Sequence, residues 1–378
     1  MKLLKHLIFL ALIINLVSCD KKIKNKEGIK LISIPKADYQ NSLEGFWLGQ
    51  SIANWTGLVT EMDKIGIPTK EGMGEGFYTR DDWGKSDQPN IWGEFKGGKN
   101  QLIDFKVAEK DSIWGSDDDT DIEYMYQELL GNIPYVYFTP NQIVNGWKKH
   151  IYVEEENYLW VSNQKAFDLM NEGVLPPETS DPLLNPFYEM IDAQLTTEIF
   201  GLFAPTNPKV ALDLAYLPIR TTAGGNAVDI AEFYVIMHSL ASNPTKNLTI
   251  KDRLQLNAKV ARDHLPDDKY PAKMFDFVYK EYKKGTPWET TRDLLHEKYQ
   301  IKQEDGYIWP SKDEDCSGCF AAGINFGASI ISLFYGEADF KETIKIGSLI
   351  GWDSDNPTST WGGLLGFMLG KKEIEKIM

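Results

Sequence analysis

Small residues recur at every fourth position in two stretches near opposite ends of the chain: Gly45, Gly49, Ala53 and Gly57, then Gly362, Gly366 and Gly370. On an α-helix, residues four apart share one face, so each stretch presents a strip nearly free of side chains against which another backbone can lie closely. In a membrane such a pattern marks helix association, but Glu44, Gln50, Asn54 and Glu61 make that setting implausible. The close packing needs a partner helix, and each strip offers the other the same kind of face. The first helix is expected over residues 42–62. Packing of the two strips would bring Glu61 towards Asp353 and Asp355, which precede the second strip.

Those two aspartates belong to Gly351-Trp352-Asp353-Ser354-Asp355-Asn356, followed by Pro357, so two carboxylates and an amide stand at a helix mouth. A carboxylate there can be an ordinary cap for orphan backbone N–H groups. Far upstream lies a second acidic run, Ser116-Asp117-Asp118-Asp119-Thr120-Asp121-Ile122-Glu123, ahead of the helical pattern Ile122, Met125, Tyr126, Leu129 and Leu130. Either run alone reads equally as a capped helix start or a solvated face. Four aspartates so close titrate upward unless a cation or basic group neutralises them. Asp117, Asp119, Asp121 and Glu128 match the ligand spacing of a calcium loop, but Ile122 stands where that loop needs glycine, which excludes it. Oxygen ligands of this kind select Mg or Mn, and two such claws converging in space would make a two-metal site.

The runs "SDDDTDIE" and "GWDSDN" resemble the two signature motifs of the ADP-ribosylglycohydrolase family, usually TDDT and GGDTDT. The strip ending in Glu61 is similar to the family's opening helix of glycines closing on a glutamate. Weaker echoes lie in "IDAQL", "FAPTNPKVALDLAYLPIRTTAGGN" and "ASIISLFYGEADFKETIKIGSLIGWDSDN", so the resemblance runs from about residue 43 to 370. It implies an all-α fold, a single large compact multi-helix bundle with a central di-metal cleft. It also implies a hydrolase that cleaves the bond between ADP-ribose and an acceptor, a protein side chain or a small molecule, with a metal-activated water. Two Mg2+ ions are implied, with Mn2+ as the other candidate. Carried over motif by motif, the metal ligands would be Asp117, Asp118 and Asp119 with Asp353, Asp355 and Asn356, and the catalytic residues Glu61, Asp118 and Asp353. Asp117 and Asn356 depart from the family pattern, each replacing a hydroxyl, though both still offer an oxygen. Two alternatives stay open: hydrolysis of another ribosyl or N-glycosidic substrate, and a lipid-anchored protein that binds a ligand without turnover.

The chain begins with Lys2 and Lys5, then an apolar run from Leu7 to Val17, too short to span a bilayer comfortably and read as an export signal over residues 1–18. It ends in Leu16-Val17-Ser18-Cys19, which looks like a bacterial lipoprotein processing site with Cys19 carrying the lipid. Residues 19–40 would be a polar tether and 41–378 the folded domain. The expected location is therefore exported, lipid-anchored to a bacterial membrane at the periplasmic face or cell surface. A formal net charge of −15 argues against nucleic acid or anionic headgroups as partners, so the membrane link would be the lipid itself.

The remaining pattern is helical. Asn207 with Pro208, the pair Asp339 and Glu342, and Thr286 with Glu289 read as helix starts, and Gly285 as a C-cap after Met274, Val278 and Tyr282. Strand-like alternation is limited to pieces such as residues 102–107. Aromatic residues at Tyr78, Trp83, Trp92, Phe95, Trp147, Tyr152, Tyr158 and Trp160 read as core packing, with a stacking rim for a flat ligand as the second reading. Gly224-Gly225 reads as a turn, and the histidine that family members often carry near it is missing. Cys316 and Cys319 read as structural thiols or a small disulfide before a helix over 320–334, on which Asn325 is a polar residue near the site or a buried amide. The five histidines are scattered and no GxSxG or GxxxxGK[ST] run occurs, which leaves the acidic claws as the only concentrated chemistry.

Overall fold

The computed structural model describes residues 32–67, 74–87, 101–109, 112, 114–115, 117–133, 137–153, 157–243, 247–308 and 318–378. The signal, Cys19 and Cys316 lie outside these residues. Helices follow one another in the order α1 Lys36–Gly57, α2 Asp118–Asn132, α3 Pro140–His150, α4 Val161–Asn171, α5 Asp192–Thr196, α6 Ile199–Phe203, α7 Pro208–Thr222, α8 Gly225–Ala241, α9 Ile250–Arg262, α10 Tyr270–Lys284, α11 Trp288–Leu295, α12 Ala322–Tyr335, α13 Phe340–Leu349, α14 Asp355–Leu369 and α15 Lys371–Ile377. The architecture is all-α. Among the described residues extended backbone pairs only in isolated bridges, such as Ser86 with Leu102, so the piece at 102–107 takes part in one bridge and forms no strand. Ala37–Met378 form one compact unit.

The centre is built from helices that are apolar or small on every side. Every residue of α12 from Ala322 to Phe334 is buried, as is every residue of α14 from Asp355 to Phe367. A helix without a polar face must be enclosed. Accordingly α12 is packed between α10, α13 and α14, and α8 between α6, α7 and α9. Local signals fix the ends of the outer helices. Asn207 accepts from the Val210 N–H at 3.4 Å, Asp339 from the Glu342 N–H at 2.8 Å, and Gly285 closes α10 at φ 77°. The expected box at Thr286 does not form: Thr286 donates to Glu281 (3.0 Å) and Glu289 holds Arg80 (2.6 Å), so each side chain meets a stronger partner than the helix start.

The two glycine strips meet, antiparallel. A Cβ at Gly45 would collide with the Gly366 carbonyl, one at Gly49 with the Gly362 carbonyl, and one at Gly362 with Ala53. At the far end Gly57 lies on Ser354, Asp355 and Thr358, so the end of α1 is held at the start of α14. The helix itself differs from expectation at both ends. It begins at Lys36 and stops at Gly57, after which Leu58–Asp63 form turns. Glu61 therefore sits in a turn beyond the helix and not in a last helical turn.

Candidate metal centre

The antiparallel register is what brings the first group of carboxylates together. The turn after α1 is stitched to the segment before α14 by a Met62 N–H bond to the Trp352 carbonyl (2.8 Å) and a Ser354 hydroxyl bond to the Gly57 carbonyl (3.0 Å), with the Thr60 and Ser354 hydroxyls 3.2 Å apart. Between these ties, Glu61, Asp353 and Asp355 each place a carboxylate oxygen within 4.8 Å of the others, and all three are buried. The expected approach of Glu61 to Asp353 and Asp355 is found.

The second group stands at the mouth of α2. Asp117 occupies the N-cap position in extended conformation, and Asp117, Asp118 and Asp119 likewise bring oxygens within 4.8 Å of one another. Asn54 of α1 donates to Asp117 at 2.6 Å, which ties the mouth of α2 to the glycine-lined helix. Asp117 and Asp118 remain partly exposed while Asp119 is enclosed, so the group opens outward on one side.

The two groups face each other electrostatically. Burial, then the charge of Asp117 and then that of Asp355, holds Asp118 well above the ordinary carboxylate range; burial and then Asp355 do the same to Asp119. Burial and Glu61 raise Asp353, and burial and Asp353 raise Asp355. In each case the influences that raise the carboxyl are loss of water and other carboxylates, a situation a divalent cation relieves. Asp119 Oδ2 and Asp355 Oδ1 are buried without a hydrogen-bond partner, as oxygens kept for a cation are. An all-oxygen donor set of this kind fits Mg2+ or Mn2+. Asn356, the sixth ligand expected, is buried on the first turn of α14 with its Oδ1 accepting from Gln194 at 3.1 Å.

Several residues around the groups were not singled out from sequence. Asn54 is one, although Gln50 and Asn54, four apart beside a glycine strip, were a legible polar stripe on a helix that must be buried. Asp121, pushed up to about 6 by burial, accepts from Asn157 at 2.6 Å. Asp192, also raised by burial to about 6, accepts from the Asn163 N–H at 2.8 Å, keeps Oδ2 unpartnered, and adds its charge to those acting on Asp118. Asn325 proves to be both things expected of it. Its Nδ2 holds the Cys319 and Ala321 carbonyls (2.8 and 3.0 Å) and its Oδ1 accepts from the Asp353 N–H (3.3 Å). Cys319 is disulfide-bonded. Behind the cleft, Glu123 and Glu198 form a further buried acidic pair.

Fold and site together define an all-α protein with two facing acidic clusters of the kind that hold divalent cations. The family model described as ADP-ribosylglycohydrolase matches residues 35–377, and the chain belongs to that family. Membership makes it a glycohydrolase of the ADP-ribose type, in a family that is metal-dependent. A solved structure titled "ADP-ribosylglycohydrolase-related protein complex" is similar at 17% identity over 89% of this chain and 90% of that one, with a TM-score of 0.46, too distant to argue from. No curated protein matches. No helix among the described residues is long and apolar enough to cross a membrane.

Proposed function

We propose that the protein is a metal-dependent hydrolase that cleaves the glycosidic bond between ADP-ribose and an acceptor, using two Mg2+ or Mn2+ ions. The observation that carries this reading is the convergence of Glu61, Asp353 and Asp355 on one side and Asp117, Asp118 and Asp119 on the other. In the proposal Glu61, Asp353 and Asp355 hold one ion, Asp117, Asp118 and Asp119 the other, and Asn356 completes the set. When bound, divalent ions supply positive charge that orients sugar hydroxyls and makes water a better nucleophile. The chain's own contribution is placement. Departure of the acceptor builds positive charge on the ribose, and buried carboxylates beside it, Glu61 above all, stabilise that charge. Asp118, at the open side of its group, is placed to face the substrate. The lipid anchor proposed at Cys19 would put the substrate outside the cell, where a small ADP-ribose conjugate is as fitting as a modified protein.

The test is release of ADP-ribose from a panel of modified proteins and small conjugates, by a soluble form lacking residues 1–19, in Mg2+, Mn2+ or EDTA. Metal-dependent release that disappears in Asp353→Ala supports the reading. Tight metal binding without release from any conjugate refutes the proposed substrate.

A further inference from the structure

The segment that carries Asp353 is held in an unusual backbone conformation. Gly351 and Trp352 both lie in the left-handed region, at φ 99° and 58°, and Met62 on the facing turn does too, at φ 59°. Glycine adopts that region freely, but for other residues it costs about 1 kcal/mol or more each. Two non-glycine residues, one next to Glu61 and one next to Asp353, thus occupy a disfavoured conformation, and the Met62 N–H bond to the Trp352 carbonyl joins them directly. Strain of this kind persists only where the surroundings over-determine it.

The surroundings here are aromatic. The Trp352 ring is fully buried, with its centroid 5.1 Å from Phe77 and 6.1 Å from His296, and the Arg292 guanidinium covers Phe77 from 4.4 Å. The indole Nε1 has no hydrogen-bond partner, so packing alone retains the ring. Gly351 lies against the Lys64 carbonyl and Phe77 so closely that a Cβ would collide with both. In the usual form of the motif that this run resembles, the residue before the first aspartate is glycine. This chain places there a bulky side chain that a left-handed backbone disfavours and anchors it in an aromatic socket.

We propose that Trp352 is a positioning residue. Its ring, wedged between Phe77 and His296, locks the 351–353 backbone left-handed and, through the bond to Met62, fixes Glu61 opposite Asp353. This rests on the reading of Glu61 and Asp353 as metal ligands. A tryptophan that served only as core would affect stability and leave the spacing of the carboxylates alone.

The test measures Mn2+ affinity by electron paramagnetic resonance, with no substrate present, for the wild type, Trp352→Phe, Trp352→Gly and Phe77→Leu, at a temperature where circular dichroism shows each folded. Trp352→Phe keeps a ring in the socket and is expected within about threefold of wild type, while Trp352→Gly, though its backbone is relieved, is expected to bind about tenfold more weakly or worse, as loss of a supporting group does. If Trp352→Gly does not fold, Phe77→Leu, which empties part of the socket and touches no carboxylate, decides by the same loss of affinity. Unchanged Mn2+ affinity alongside a lowered Tm in either variant overturns the proposal. A wild type that binds no Mn2+ removes the metal reading and this inference with it.

Discussion

Two sets of buried carboxylates lie near each other in this molecule, and they are treated differently. Behind the cleft, Glu123 accepts from Gln50 Nε2 at 2.7 Å and from the Ile199 N–H at 2.8 Å, and Glu198 accepts from the Thr360 hydroxyl at 2.9 Å. In the cleft, Asp353 and Asp355 bond chiefly to each other, and oxygens of Asp119 and Asp355 bond to nothing. Burial raises the pKa in both places. The interior pair takes hydrogen bonds from Gln50, Ile199 and Thr360, with Glu198 Oε2 alone lacking a partner, whereas the cleft gathers six carboxylates in two clusters. What separates the interior pair from the cleft is therefore both the number of carboxylates brought together and the donors aimed at them.

That contrast is broken or confirmed most sharply by removing one carboxylate from each set. Asp353→Ala is expected to weaken Mn2+ binding by more than about 100-fold, beyond what loss of a supporting residue gives, while the metal-free protein keeps or gains stability because one repelling charge has gone. Glu198→Gln should leave Mn2+ affinity within about threefold, since nothing in the cleft depends on its charge. Calorimetric titration of both variants decides; equal losses would mean that the two sets act as one site.

The pH dependence of stability distinguishes them next. Burial pushes Glu123 from 4.5 up to about 8, so the folded state holds a proton that the unfolded chain has released. Its stabilisation is complete below about pH 4.5 and is lost as pH rises through about 8, with a slope of at most about 1.4 kcal/mol per pH unit for one proton. The raised cleft carboxylates act in the same direction in metal-free protein. Saturating Mn2+ should abolish their share, because the cation favours the deprotonated form, and leave the share of Glu123. Thermal melts between pH 5 and 8 with and without Mn2+ are expected to show a residual slope that flattens in Glu123→Gln. Gln50 Oε1, now unpartnered, can turn to accept from the new amide. A residual slope unchanged in that variant would show that the pair is not held protonated.

The cleft was largely legible in the sequence and the interior pair was not. Small residues at spacing four, Gly45, Gly49, Ala53 and Gly57 with Gly362 and Gly366, mark two faces that can meet closely, and the antiparallel register that the fold adopts carries Glu61 to Asp353. Runs of aspartate are conspicuous because so many like charges together need a helix mouth, solvent, a basic group or a cation to account for them. Glu123 was readable in principle, since it lies four residues after Asp119 on the same face of α2. Glu198, between two short helices, has no periodicity to place it, and only the tertiary fold brings it to Thr360. The end of α1 was misplaced because polar residues as far as Glu61 continue a helical pattern, while the contact of Gly57 with Asp355 stops the helix four residues earlier.

The glycine contact is the mechanical basis of the cleft, and Gly49→Ala tests it. The added Cβ meets the Gly362 carbonyl, a backbone atom that cannot rotate away. Overpacking of this kind costs about 1–3 kcal/mol, here offset slightly by alanine's better helix propensity. Urea unfolding should show that loss together with weaker Mn2+ binding, since separating α1 from α14 also separates Glu61 from Asp355. Gly131→Ala, on α2 with open space around it, is the control expected to lose no stability and to leave Mn2+ affinity unchanged.

The smallest expected effect concerns Asn356, where the usual motif has threonine. Its Oδ1 already takes one hydrogen bond from Gln194, and its Nδ2 is buried without a partner. A carboxamide oxygen has a second lone pair, so a ligand role and the Gln194 bond are compatible. Asn356→Thr strands the Gln194 amide at a cost of about 1 kcal/mol, yet still offers a hydroxyl oxygen, on a shorter side chain. If Asn356 is a ligand, Mn2+ affinity in the threonine variant stays within about threefold of wild type, while Asn356→Ala, with no oxygen to offer, falls about tenfold. If the residue only buttresses Gln194, alanine and threonine give the same affinity and differ from wild type in Tm alone. The cation would then be held by carboxylates alone.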